Sequence, residues 1–137
     1  MPVKLSSNEL EAANRAEATA LLIRAGYRVY RPEADVMGED LILRNPIGCL
    51  LATQLKGRLS VDLLRYGGPE RDIWMLFPDK PFVSDIRRSW FLVQHDRLFE
   101  WLKQRHGHSA KWNDAWSKRD LSDAQRKFLA DCEIHPA

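Results

Sequence analysis

Three polar side chains stand on two short apolar segments in the middle of the chain. Asp40 opens the first segment, residues 40–44, and Gln54 and Lys56 come near the end of the second, residues 50–56. Side chains two apart on a strand share a face, and a hairpin would bring Asp40 beside them. A carboxylate, an amide oxygen and an ammonium on one sheet face suit Mg²⁺-dependent cleavage of a phosphodiester. The spacing therefore predicts a site of that chemistry.

The predicted hairpin turns through Asn45-Pro46-Ile47-Gly48. In antiparallel pairing through that turn, Asp40 falls near Gln54, and we expect the Asp40 carboxylate and the Gln54 amide oxygen roughly 3 to 5 Å apart. A slip of one residue would send Gln54 and Lys56 to the far side of the sheet. The prediction therefore depends on the register of this hairpin.

A long helix is predicted ahead of the hairpin. Ser6 and Glu9 form a possible capping box, and Gly26 is placed just past the helix end. Helical spacing puts five residues on one face: Leu10, Ala13, Glu17, Ala20 and Leu21. Glu17 then lies within an apolar stripe, where a carboxylate needs a partner or a metal. The alternative is that Glu17 lies at the margin and reaches water or a nearby arginine.

The ordered set of motifs resembles the PD-(D/E)XK nuclease superfamily, in its variant with Gln at the second acidic position. Residues 14–17, Asn-Arg-Ala-Glu, and the Gly26 stop are similar to the first helix of that superfamily. The likeness covers residues 14–58. It implies that the helix glutamate is Glu17, the strand aspartate Asp40, the variable position Gln54 and the lysine Lys56.

The resemblance implies a Mg²⁺ cofactor, with Mn²⁺ as a substitute, held by Glu17, Asp40, Gln54 and the carbonyl of Leu55. Lys56 would position the attacking water or stabilise the pentacoordinate phosphate. Gln54 is neutral where the commoner pattern has an acid, which weakens metal affinity and puts a second metal in doubt. Inactive, DNA-binding-only descendants of this fold also exist, so both outcomes stay open.

The 137 residues are enough for one domain, residues 1–137, with a substantial core. The order of predicted elements favours an α/β class with a restriction-endonuclease-like mixed sheet flanked by helices. No apolar run reaches membrane-spanning length, and the two cysteines, Cys49 and Cys132, lack ligand spacing. We therefore expect a cytoplasmic protein without a membrane segment, with Cys49 as a small core residue.

A net charge of +2 says little about nucleic acid, but the distribution of basic residues is more informative. Six follow the second hairpin segment: Arg58, Arg65, Arg71, Lys80, Arg87 and Arg88. They could flank a cleft that holds phosphates, with the arginines as DNA-binding residues. An ordinary solvated surface is the competing interpretation.

The rest of the chain predicts strands at 27–30, 73–77 and 90–93, a strand or short helix at 60–65, and helices at 96–105 and from Ser122 to 129. Residues 112–116 are expected in a loop. The part from residue 73 on resembles the small stand-alone branch related to group I intron homing endonucleases, and no functional residue is taken from that likeness. His106 with His108 is interpreted as surface, and His95 with Asp96 as a strand end and helix cap.

These patterns favour a Mg²⁺-dependent endonuclease acting on DNA. The alternatives are a catalytically inactive nucleic-acid-binding module and a partner protein of a mobile element or a restriction or repair complex. Cleavage of both strands would need a homodimer, since one such site cuts one strand at a time.

Overall fold

The computed structural model describes residues 4–34 and 38–136. Its first helix, α1, spans Ser7–Arg24 and is capped by Ser6, whose hydroxyl accepts from Glu9 N while Glu9 returns the bond to Ser6 N. Gly26 follows with a φ of +91°, a conformation that side chains other than glycine rarely adopt. The predicted capping box and the predicted stop are both confirmed.

The predicted apolar face of α1 is wrong by one position. The helix buries Asn14, Ala18 and Leu22, whereas Leu10 is 37% exposed and Ala20 is exposed. Alanines and leucines occur all around this helix, so periodicity alone does not choose among neighbouring faces. Glu17 therefore lies at the edge of the buried stripe rather than within it.

Seven strands and three further helices complete the described chain. The strands are β1 (Arg28–Tyr30), β2 (Leu41–Arg44), β3 (Leu50–Leu55), β4 (Leu59–Asp62), β5 (Trp74–Pro78), β6 (Trp90–Gln94) and β7 (Ala115–Lys118). The helices are α2 (Leu63–Tyr66), α3 (His95–His106) and α4 (Asp123–Leu129), and a 3₁₀ turn covers Ala130–Cys132.

The main sheet has five strands in the order β1-β2-β3-β5-β6. Strands β3 and β5 are parallel and the other neighbours antiparallel, so the sheet is mixed. Strands β4 and β7 form a separate antiparallel pair. The molecule is thus a mixed α/β domain, as the order of predicted elements indicated.

The two faces of the main sheet carry two separate cores. One core joins α1 through Ala18 and Leu22 to Leu41, Leu76 and Trp90. The other joins Met75 and Val93 to α3, α4 and the β4–β7 pair. Because α1 lies on one face only, a side chain's face decides which layer it meets.

Two details correct the sequence expectations. The loop predicted at 112–116 ends in strand β7, which pairs with β4. The segment 60–65, predicted as a strand or a short helix, divides between β4 and α2. Cys49, expected in the core, is exposed in the hairpin turn. The polar composition of residues 33–38 predicts a loop, and residues 35–37 of it lie outside the described residues. No helix within the described ranges has the length and apolar character needed to cross a membrane.

Candidate active site

The β2–β3 hairpin has the register that the sequence predicted. Leu41 pairs with Thr53, so one residue further out Asp40 lies opposite Gln54. The Asp40 N–H donates to the Thr53 carbonyl at 2.9 Å, and the Leu55 N–H donates to Asp40 Oδ1 at 3.0 Å. The aspartate is therefore fixed at the end of the hairpin by bonds to both its main chain and its side chain.

Asp40, Gln54 and Lys56 share one face of the sheet. Leu41 and Leu55, which alternate with them, belong to the core beneath α1. Gln54 pairs with Met75, which belongs to the opposite core. The predicted common face is confirmed, and it is the face away from α1.

Lys56 lies over an aromatic ring on that face. Its Nζ is 5.4 Å from the ring centroid of Tyr66, and Arg65 approaches the same ring at 5.2 Å. Within residues 4–34 and 38–136, no carboxylate lies within ion-pair distance of Lys56. The described contact of the Lys56 ammonium on this face is therefore the Tyr66 ring rather than an acidic side chain.

A buried histidine holds the turn that carries Tyr66. His95 Nε2 accepts from the Asp62 N–H at 3.0 Å, so Nδ1 carries the proton and meets Asp96 Oδ1 at 2.9 Å. Burial lowers the pKa of His95, against the opposing effect of Asp96. Asp96 Oδ2 in turn accepts from Gly68 N. With both ring nitrogens engaged, His95 positions the β4–α2 turn and is not placed to act as a general base.

Glu17 is bonded to an arginine and a tryptophan. Its carboxylate accepts from Arg88 Nη2 at 3.0 Å and Nε at 3.2 Å, and from Trp90 Nε1 at 2.6 Å. Trp90 is in β6, separated from β2 by β3 and β5, and belongs to the core under α1. The expected approach of Glu17 to Asp40 through a metal or water stays a prediction, and the nearby arginine given as the alternative partner of Glu17 is Arg88.

The five predicted DNA-binding arginines separate into two groups. Arg58, Arg65 and Arg87 are exposed, as phosphate contacts require. Arg88 is not available: its side chain is 0% exposed and bonds to Glu17, Asn14 and the Lys80 carbonyl. Arg71 uses Nη1 on the carbonyls of Leu64 and Gly67, so it closes the turn after α2. Sequence cannot show these internal partners.

The oxygen donors at the hairpin end suit a hard cation. Backbone N–H and C=O of one strand residue point to the same side, so the Leu55 carbonyl faces Asp40 as its N–H does. Asp40, Gln54 and this carbonyl supply one charged and two neutral oxygens, and Mg²⁺ commonly takes one or two carboxylates with waters and substrate phosphate. Among the described residues, no three His, Cys, Asp or Glu side chains form a metal-binding group.

Glu39, which directly precedes Asp40, is not among the predicted site residues. Its Oε2 is buried and has no hydrogen-bond partner within the described ranges. Burying a carboxylate oxygen without a hydrogen-bond partner costs folding free energy unless a cation or a hydrogen-bond donor binds it. The signal was available in the sequence as a second acidic residue beside the first.

The comparison with solved structures bears on the fold. The mixed sheet, with one long helix on one face and smaller elements on the other, has a nuclease-like fold by its likeness to a solved structure. One similar solved structure is that of a bacterial homing endonuclease, I-Ssp6803I, at 16% identity and a TM-score of 0.54, covering 96% of this chain and 88% of that one. No family model and no curated protein sequence matches the chain. At this identity the likeness establishes the fold alone.

Proposed function

We propose that this protein is a metal-dependent endonuclease that hydrolyses phosphodiester bonds in DNA, with a PD-(D/E)XK site of the Gln-x-Lys type. The observation that carries the proposal is the hairpin register, which puts Asp40 opposite Gln54 with Lys56 on the same face. The nuclease-like fold supports it, and the similar structure is described as a homing endonuclease.

Each site residue has a role that its position allows. Asp40, Gln54 and the Leu55 carbonyl would hold Mg²⁺, which when bound lowers the pKa of water and neutralises charge on phosphate oxygens. Lys56 would hold the attacking water or offset charge on the phosphorus oxygens as a point charge. Tyr66 keeps the ammonium in place through its ring.

Plasmid cleavage tests the proposal. Wild-type protein should nick supercoiled DNA with Mg²⁺ or Mn²⁺, and Asp40→Asn or Lys56→Met should lower the rate by about 100-fold or more. Lys127→Met is the matched control, because Lys127 is exposed on α4 away from the hairpin. Cleavage that survives both site substitutions, or that falls equally in the control, would overturn the site assignment.

A second candidate is a DNA-binding module that does not cut. The arrangement of Glu17 favours it, because with Glu17 bound to Arg88 the predicted ligand set retains Asp40 as its one carboxylate. Salt-dependent DNA binding without cleavage under any divalent ion would support this candidate. For the endonuclease, cutting both strands would require a homodimer, which sedimentation of the protein on duplex DNA would detect.

A further inference from the structure

A cavity adjoins Lys56 on the open face of the sheet. It measures about 480 Å³ and lies between the end of β3, α2 and the β4–β7 pair. Lys56, Arg65 and Lys111 contribute the cations of its wall, and Asp62 is the acidic residue among those that line it. The Asp62 carboxylate already accepts a hydrogen bond from Arg65 N as the cap of α2. The charged side chains of the wall are therefore mainly cationic.

Two aromatic residues of this wall carry buried polar atoms without partners. Tyr66 is 2% exposed, and neither its hydroxyl nor the Trp116 indole N–H bonds to any residue in the described ranges. Both residues line the cavity. Buried polar groups in native proteins are nearly always satisfied, and two of the unpartnered atoms among the described residues belong to this one wall.

The β4–β7 pair adds hydroxyls to the same wall. Ser60 pairs directly with Ser117, and both line the cavity. Behind them, His106 stacks on Trp116 with ring centroids 4.6 Å apart. Burial, followed by the charges of Lys118, Arg105 and His108, lowers the pKa of His106.

We propose that this cavity receives one unpaired nucleotide of the DNA strand being cut, its base and sugar against Tyr66 and Trp116 and its phosphate held by Arg65 and Lys111. The proposal rests on the proposed function, because Lys56 joins the cavity to the candidate active site. The volume is in the range of small-molecule sites and far too small for a duplex. A nucleotide can enter such a pocket only after leaving the base stack.

Mononucleotide binding tests the pocket without any cleavage. Titrating dAMP or dTMP without divalent ions should shift the indole N–H resonance of Trp116, which Trp116→Phe identifies by its loss. Lys111→Ala and Tyr66→Phe should each weaken binding by about fivefold, and Lys103→Ala, an exposed lysine of α3, should not. No shift, or an equal shift with inorganic phosphate alone, would overturn the proposal.

DNA with a one-nucleotide bulge tests the same pocket on a polymer. Wild-type protein should bind the bulged duplex at least about fivefold more tightly than the perfect duplex, since an unpaired base costs least to extrude. Trp116→Phe and Tyr66→Phe should reduce this preference, and Lys103→Ala should keep it. Equal affinity for the two duplexes would overturn the proposal.

The two proposals fail separately. Asp40→Asn should abolish cleavage and leave dAMP binding unchanged, because Asp40 does not line the cavity. Nucleotide binding by a protein that never cleaves would contradict the proposed endonuclease function and support the proposed pocket. Cleavage without nucleotide binding would contradict the proposed pocket and support the proposed function.

Discussion

On the two faces of the main sheet, charged and aromatic side chains have different kinds of partners. Beneath α1, Arg88 and Trp90 both donate to the Glu17 carboxylate, and Arg88 also donates to Asn14. On the other face, Lys56 contacts an aromatic ring and lines an open cavity.

The Tyr66 hydroxyl on that second face has no described partner. Buried polar groups that satisfy one another stabilise a fold, and each group left unsatisfied needs a physical explanation. We expect the Glu17 network to contribute stability, and the proposed pocket offers an explanation for Tyr66 and Trp116.

Arg88 gives the sharpest test of the α1 face. Arg88→Ala leaves the Glu17 carboxylate without its cation, and we expect a loss of about 3 kcal/mol or more in the free energy of unfolding. Arg87→Ala is the matched control, because Arg87 is exposed and should cost within about 0.5 kcal/mol. Urea unfolding of both variants measures the difference, and equal stabilities would show that this network contributes little.

The Glu17→Gln variant tests whether Glu17 also acts as a metal ligand for the candidate active site. Removing its charge should cost about 2 kcal/mol, because Arg88 loses a charged acceptor while an amide oxygen remains. Cleavage per folded molecule should stay within about threefold of wild type, since a group outside the site acts only through folding. A loss comparable to that of Asp40→Asn, with folding intact, would restore Glu17 as a metal ligand.

Local signals carried most of what the sequence could predict. The capping box at Ser6, the helix start at Ser122 and the hairpin through Asn45 could be predicted because each depends on residues a few positions apart. The pairing of Glu17 with Arg88 was not, because 71 positions separate them and only tertiary packing brings them together.

The open face was harder to predict than the hairpin itself. Strand β7 is short and half exposed, so its alternation is weak, and the segment was expected in a loop. Without β7 there is no wall opposite Lys56, and the cavity with Lys111 and Ser117 could not be foreseen. The polar residues of the hairpin could be predicted, and their surroundings could not.

His95 links the stability of the open face to pH. Its pKa is lowered in the folded state, so the unfolded chain binds more protons as pH falls below the ordinary histidine value of about 6.5. Stability should be full above that pH and decline below it. Urea unfolding between pH 8 and pH 5 should show a smaller decline in His95→Gln than in wild type.

His135→Gln, at an exposed histidine, is the control and should keep the wild-type profile. Part of the decline should persist in His95→Gln, because burial and nearby cations also lower the pKa of His106. An unchanged pH dependence in His95→Gln would remove His95 as the group that holds the turn.

Tyr66→Phe is the smallest expected change and separates the two faces most directly. The substitution removes a hydroxyl that has no described partner and keeps the ring beneath Lys56. Because an unsatisfied buried hydroxyl costs free energy, the variant should be as stable as wild type or more stable, by up to about 1 kcal/mol. The same variant should bind dAMP more weakly, so its stability should rise while its affinity for the ligand falls. Such a trade-off between stability and function is common at binding sites. A loss of stability would mean that the hydroxyl has a structural partner. The Lys56 face would then satisfy its buried polar groups internally, as the Glu17 network does on the α1 face.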